Sequence, residues 1–293
     1  MAFIKRNICP ICGSKNYIKI FERDYFEKDI IKFIKKHFSK SFPLKILKDE
    51  KYIINECLNC SGLFQENILN DKYTKNLYES YIIEEESFRK KKDFSTQNFQ
   101  TYLNELKSIE KIIKKKPSHT RILEVGAGWG YWSSLAKSCN FEVEAIDLSK
   151  TRVNFMKKNG LNSSTSLKKK YSKKFDVIYS DQTLEHVKSP FDYIKIFSKL
   201  LAKNGVIILK IPSGYSTKKK LNNNYKFSDD ELVPLEHINI FNLKCFKYIS
   251  KKNGFKIFFP LPVNFFLSIS YFKELLVNVI NYISNKKVIL KKL

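Results

Sequence analysis

Two periods of apolar residues alternate along most of this chain. Arg121-Ile-Leu-Glu-Val125 is a compact, partly β-branched run, the pattern of a strand buried on both faces. Phe141 to Asp147 alternates before running into Ala145 and Ile146, and so reads as a second strand. Phe175 to Ser180 and Gly205 to Pro212 are further strands, the last introduced by an Asn204-Gly205 turn. Helical spacing fills the gaps. Tyr131 to Ser138 comes directly after the first strand and its glycines. Gln97 to Lys116 places Tyr102, Leu106, Ile109 and Ile113 on one face and ends at Pro117. Nearer the start, Lys28 to Phe38 also carries apolar residues at helical spacing. Strands alternating with helices predict an α/β fold built on a doubly wound sheet. The apolar stretch Ile257 to Phe272 is too short for a transmembrane span and holds Pro260 and Pro262. It reads as a final strand plus an amphipathic helix.

The end of the first strand brings in chemistry. Glu124-Val-Gly126-Ala-Gly128-Trp-Gly130 delivers an acidic residue and then three glycines, which let the backbone turn sharply and approach a ligand closely. A dinucleotide site wants G-x-G-x-x-G, and Tyr131 stands where its third glycine would be. Asp147 closes the second strand, where a carboxylate can accept both ribose hydroxyls of an adenosine. The tighter glycine spacing, Asp147-Leu148-Ser149 and the loop Asp181-Gln182-Thr-Leu-Glu-His186-Val187 together resemble class I S-adenosylmethionine-dependent methyltransferases over just over half the chain. That resemblance implies a Rossmann-like doubly wound methyltransferase sheet with S-adenosyl-L-methionine as cofactor. It implies cofactor contacts at Glu124 (near the methionine part), Gly126, Gly128, Gly130, Asp147, Leu148, Asp181 and Gln182. The acidic or amide residue that often meets the adenine amine is missing from Asn159 to Leu167, which leaves a serine hydroxyl or a backbone carbonyl for that contact.

Six cysteines change the picture of the amino-terminal third. Cys9-Pro-Ile-Cys12 and Cys57-Leu-Asn-Cys60 are paired knuckles that together supply the tetrahedral four-thiolate shell zinc prefers. They stand further apart than in usual zinc ribbons, with the Lys28 to Phe38 helix in the insert. A closed four-cysteine site leaves no position for substrate, so this zinc is expected to be structural; Cys139 and Cys245 stand alone. A small four-cysteine zinc unit over 1–80 is therefore expected to precede a linker and covering helix over 81–117. The methyltransferase domain is expected over 118–262, and a strand, helix and basic tail over 263–293. Met1 to Asn7 is too short for a secretory leader, so a cytoplasmic location is expected.

The combination of cysteine unit, Tyr-rich connector (Asp71 to Tyr81) and class I core resembles bacterial methyltransferases that tailor nucleotide-linked sugars and surface glycans. The best-described members, sugar C-methyltransferases, are longer and carry a further carboxy-terminal domain not evident here. The resemblance implies a small or carrier-linked acceptor and a Glu-His pair facing it, which is matched by Glu236-His237 in Pro234 to Phe241. Imidazole titrates near neutral pH. His237 is therefore the leading base, with Glu236 orienting it or raising its basicity. His186, at a helix start, reads either as a packing or capping residue or as a second candidate for proton transfer. Tyr78 and Tyr81 are next in line as bases, and His37 and His119 read as surface residues. A formal charge of +25, mostly from lysine, suits a diphosphate-linked sugar, RNA or an anionic lipid surface, or reflects an AT-rich genome. An RNA methyltransferase is the enzyme alternative, although the scattered lysine pairs lack an aromatic reading motif. A non-catalytic cofactor-binding protein is the alternative from another class. Phe265, Phe266 and Leu267 beside the basic tail could make peripheral membrane contact.

Overall fold

The computed structural model describes residues 1–82, 96–167, 174–212, 214, 217–221, 225–227, 232–258 and 287–292. The charged passage Glu84 to Asp93, the Lys168 to Lys170 run and the apolar stretch carrying Phe265, Phe266 and Leu267 lie outside these residues.

The amino-terminal third forms β1 (Phe3–Lys5), β2 (Tyr17–Asp24), helix α1 (Lys28–His37), β3 (Lys51–Cys57), β4 (Leu63–Gln65), β5 (Asn67–Leu69) and the short α2 (Asp71–Asn76). Strands β2, β3 and β4 pair antiparallel. The fourth strand of that sheet, Asn239–Ile240, comes from far along the chain and pairs with β4. On α1, Ile30 and Ile34 are fully buried against Tyr25, Leu47 and Tyr52. Each such aliphatic side chain contributes about 1.5–3 kcal/mol. The same core takes in Leu232, Leu235 and Ile240, so the expected unit over 1–80 is completed by residues beyond 230.

The second half opens with α3 (Thr96–Ile113), which ends earlier than its apolar spacing suggested because Lys114 turns left-handed at φ 56°. There follow β6 (Arg121–Val125), α4 (Tyr131–Ser138), β7 (Glu142–Ile146), α5 (Lys150–Lys158), β8 (Asn162–Ser164), β9 (Phe175–Asp181), α6 (Pro190–Leu200) and β10 (Leu201–Lys210). Strand β10 begins before the Asn204-Gly205 turn, which forms an irregularity within the strand: Leu201 pairs with Phe175, and the register then shifts to Val206 opposite Val177. Beyond β11 (Asn239–Ile240) lie α7 (Leu243–Asn253), β12 (Phe255–Ile257) and β13 (Lys287–Lys292).

The main sheet has the order β12-β13-β10-β9-β6-β7-β8. From β10 to β8 every pairing is parallel, and β13 runs antiparallel between β10 and β12. The described end of the stretch expected as a basic tail is thus an internal strand, with Val288, Ile289 and Leu290 buried. Strand order reverses between β6 and β9, and ligands of doubly wound sheets sit beyond the strand ends at such a switch point. The two halves also share a core, because Cys9, Ile11, Cys57 and Cys60 pack in one cluster with Leu123, Ile178 and Phe246.

Candidate active site

The glycine loop leaves β6 with Gly126, Gly128 and Gly130 at φ 77°, 57° and 74°, a region that disfavours any side chain. Their surroundings differ. A Cβ on Gly126 would fall 2.0 Å from Thr183 Oγ1, and one on Gly130 would fall 2.7 Å from Met156 Cγ. A Cβ on Gly128 would meet nothing within 4 Å. Close approach of protein to protein therefore demands the outer two glycines, while the middle one faces the space in which a ligand could lie.

Asp147, at the end of β7, is turned toward that loop. Its Oδ2 accepts from the Gly128 N–H at 2.8 Å and its Oδ1 from the Ser149 N–H at 2.9 Å. Arg152 Nη1 is 3.8 Å from Oδ2. Leu148 beside it is 64% exposed, an apolar face that an aromatic base could cover. Glu124 is buried and accepts from the Ser133 hydroxyl. These positions offer a buried carboxylate, a glycine with open space beside it and a carboxylate at a strand end, a set of groups that fits S-adenosylmethionine.

Asp181 ends β9 and Gln182 follows it. Lys210 Nζ lies 2.7 Å from Asp181 and 3.1 Å from Glu105 of α3. Burial alone would lower the Lys210 pKa, but the two carboxylates outweigh it and raise it. Glu105 also accepts from Trp132 Nε1 and the Tyr179 hydroxyl, so the covering helix is bolted to the sheet by a buried polar network. Gln182 sits at φ 51°, a strained position for a residue with a side chain. Thr183, which the sequence did not single out, donates to Val125 O and is the residue packed against Gly126.

Across from this loop, two segments carry histidines. The turn Leu184–His186 follows Thr183. The segment from Val233 to Ile240 bends sharply at Leu235, φ 71°, and the His237 N–H closes the bend onto Val233 O at 2.9 Å. Asn239 binds the two together, donating to Val187 O at 2.7 Å, and Arg6 holds Asn239 Oδ1 at 2.8 Å. His186 Nδ1 contacts Glu236 O at 2.9 Å, and the His186 and His237 rings stand 4.9 Å apart. Tyr78 lies edge-on to His186 at 6.0 Å, whereas Tyr81 packs on Phe42.

The surface reading of His37 needs correction here. The Glu236 carboxylate takes His37 Nε2 at 2.6 Å, while its charge also acts on His186 and His237. His37 is therefore not a bystander on the surface, since α1 carries it from the amino-terminal unit into this cluster. His119 is exposed, as expected. Cys245 is a core residue, buried with its thiol donating to Cys60 O at 3.4 Å.

Glu185 is the functional candidate that the sequence pattern hid. It is 1% exposed, and neither carboxylate oxygen has a hydrogen-bond partner among the described residues. Its nearest basic nitrogen is His186 Nε2, at 4.0 Å. Burial, with Asp181 adding, pushes its pKa up to about 8. Glu236 behaves oppositely. Burial would raise it, but the hydrogen bond and charge of His37, with His186 and His237, hold it below the ordinary carboxylate range. Burial lowers His186, which favours its neutral form. Tyr78 is pushed well up by loss of water contact and by Glu236 and Glu185; it also faces Arg152 and Asp147, and so spans the two sides of the site.

The four knuckle cysteines converge. Sulfur pairs Cys9–Cys60 and Cys12–Cys57 are 3.7 and 3.4 Å apart, and all four sulfurs lie within 4.8 Å of one another. Zinc–sulfur bonds of about 2.3 Å in a tetrahedron put sulfurs roughly 3.8 Å apart. Backbone amides of Ile11, Ser14, Asn59, Cys60 and Gly62 point hydrogen bonds at the sulfurs, as bound thiolates require. The donor set fits zinc.

The family described as "Methyltransferase domain" matches residues 96–258. No curated protein matches the chain. Among solved structures, a SAM-dependent methyltransferase from Archaeoglobus fulgidus is similar, with 17% identity and a TM-score of 0.41. That match covers 65% of this chain and 94% of the other. A putative S-adenosylmethionine-dependent methyltransferase from Listeria monocytogenes has 15% identity and a TM-score of 0.44, covering 66% of this chain and 98% of the other. The CurJ carbon methyltransferase has 20% identity and a TM-score of 0.45, covering 76% of this chain and 58% of the other. The family match spans more than half of the chain, and with the strand order and glycine loop above it shows that this chain belongs to the class I S-adenosylmethionine-dependent methyltransferases.

Proposed function

We propose that this chain methylates a small or carrier-linked acceptor, a nucleotide-linked sugar or a surface-glycan precursor, with His237 as the base. The observation that carries the reading is the His186–His237 pair, 4.9 Å apart, on the segment that follows the cofactor loop and the one Asn239 ties to it. Bound S-adenosylmethionine supplies an electrophilic methyl on a sulfonium, which is already an excellent leaving group. Glu124, Gly126, Gly128, Gly130, Asp147, Leu148, Asp181 and Gln182 would hold it. What remains for the chain is alignment and proton removal. A neutral His237 would take the proton from the acceptor's hydroxyl or from a carbon beside a carbonyl, freeing an electron pair for the methyl carbon as the carbon–sulfur bond breaks and its electrons return to sulfur. His186 is fixed by the Glu236 carbonyl and lines the same space. Support for a sugar-linked acceptor comes from the pairing of the two-knuckle cysteine unit with the Glu-His segment, and from a charge that suits a diphosphate. The zinc is structural in this reading and the protein cytoplasmic. Among the described residues no helix is long and apolar enough to cross a membrane.

The experiment is transfer of labelled methyl from S-adenosylmethionine to separated pools of sugar nucleotides, glycan precursors and RNA. Label in the sugar-linked pool is expected. Label confined to RNA, with salt-sensitive binding, would replace this acceptor with the alternative. Cofactor binding with no transfer to any pool would make the chain a binding protein.

A further inference from the structure

His37 ends α1, in the insert between the two cysteine pairs. Its ring stacks on Phe33 at 5.1 Å and meets Phe38 edge-on at 4.9 Å, which limits the directions it can point. Nε2 is thereby aimed at Glu236 Oε1, 2.6 Å away, with side-chain exposures of 24% and 12%. The Glu236 carboxylate is faced by His37, His186, His237 and Tyr78. Glu185 stands beside His186 and is itself faced by Asp181, while Arg152 and Asp147 face Tyr78 from the cofactor side.

A half-buried carboxylate among three imidazoles pairs with whichever it can reach. Direct pairing with His186 or His237 would raise that imidazole's pKa by about one unit or more. The base would then carry a proton at neutral pH and could not accept another. We propose that His37 is a positioning residue, which takes the Glu236 carboxylate and so keeps His186 and His237 in the neutral state that can receive the acceptor's proton. The amino-terminal unit then forms part of the reaction centre, beyond its zinc. This rests on the reading of His237 as base, but the arrangement itself can be tested without an acceptor.

The chain has only four histidines, so single substitutions assign each ring in an NMR titration. In His37→Ala, the midpoint of His186 or His237 is expected to rise by about one pH unit. In His37→Gln, whose amide can still donate to Glu236, the rise is expected to be less than half of that. With an acceptor in hand, the acidic limb of the rate profile should move up with the midpoint. Midpoints that stay put or fall in His37→Ala would overturn the proposal. If His37→Ala does not fold, Glu236→Gln decides. Midpoints of His186 and His237 should move by less than about half a unit if His37 already holds the charge. A drop of about one unit or more would place the carboxylate on those histidines and refute it. S-adenosylhomocysteine titrated into the parent protein separates the two levels: no binding defeats the methyltransferase reading, whereas binding with unmoved midpoints defeats only the role of His37.

Discussion

At the proposed cofactor site, Glu124, Gly128 and Asp147 each stand at or just beyond the end of the strand that delivers them, and β6 and β7 are adjacent in the sheet. At the proposed acceptor site, His37, Tyr78, His186 and His237 come from four separate segments, one of them on a helix inserted between the two cysteine pairs. The first arrangement results from local geometry, because a parallel sheet places consecutive loops side by side. The second exists only once the amino-terminal sheet has docked, with β11 as its edge strand and Asn239 bridging to the turn after β9.

Substitutions should separate the two sides. The largest effect is expected from His237→Ala, where turnover should fall by roughly a hundredfold, the usual contribution of a positioned proton acceptor. Affinity for S-adenosylhomocysteine should stay within about twofold, since this residue is not among the proposed cofactor contacts. Near-normal turnover at saturating acceptor would remove His237 from the mechanism and shift attention to His186 and Tyr78.

Cys57→Ser addresses what holds the acceptor side together. The parent should contain about one zinc per chain by elemental analysis, and the variant should lose it. Metal binding is coupled to folding of such units, so the melting temperature should fall by on the order of 10 °C. Because Cys57 shares a core with Leu123 and Phe246, the loss should spread into the methyltransferase sheet and leave no separate, unchanged transition. Protein prepared without chelator and found free of zinc would contradict this.

The smallest effect concerns Glu185. Its carboxyl holds a proton up to about pH 8 in the fold, against an ordinary value of 4.5. Between those values the native state keeps a proton that the unfolded chain releases, so folding stability falls as pH rises from about 4.5 to 8. Glu185→Gln has no charge to suppress. It should stabilise the protein by several degrees at pH 8 and hardly at all at pH 5. An equal shift at both pH values would show that the carboxylate has a partner or reaches water.

Legibility in the sequence divides along the same line. The glycine loop, Asp147 and the cysteine pairs were legible because spacing within a few residues dictates their geometry. The His37–Glu236 contact was not, since its partners are 199 positions apart and α1 gives no sign of where it docks. Glu185 was overlooked between Leu184 and His186, although an acidic residue inside an apolar turn is itself a signal that burial is being forced. Strand β13 hid behind its flanking lysines, which made Val288 to Leu290 resemble a basic tail. The different reasons for the three glycines were not legible either: a side chain at Gly126 or Gly130 would strike Thr183 or Met156, whereas Gly128 faces open space.

Calorimetric titration of S-adenosylhomocysteine into the parent protein and into Asp147→Ala tests the cofactor site most directly. One-to-one binding is expected in the parent, with affinity reduced by a hundredfold or more in the variant; at about 1.4 kcal/mol per tenfold change, that is roughly the loss of two charge-assisted hydrogen bonds to ribose. The variant should remain folded by circular dichroism. No binding by the parent, or equal affinity in a folded Asp147→Ala protein, would contradict a cofactor site at the ends of β6 and β7.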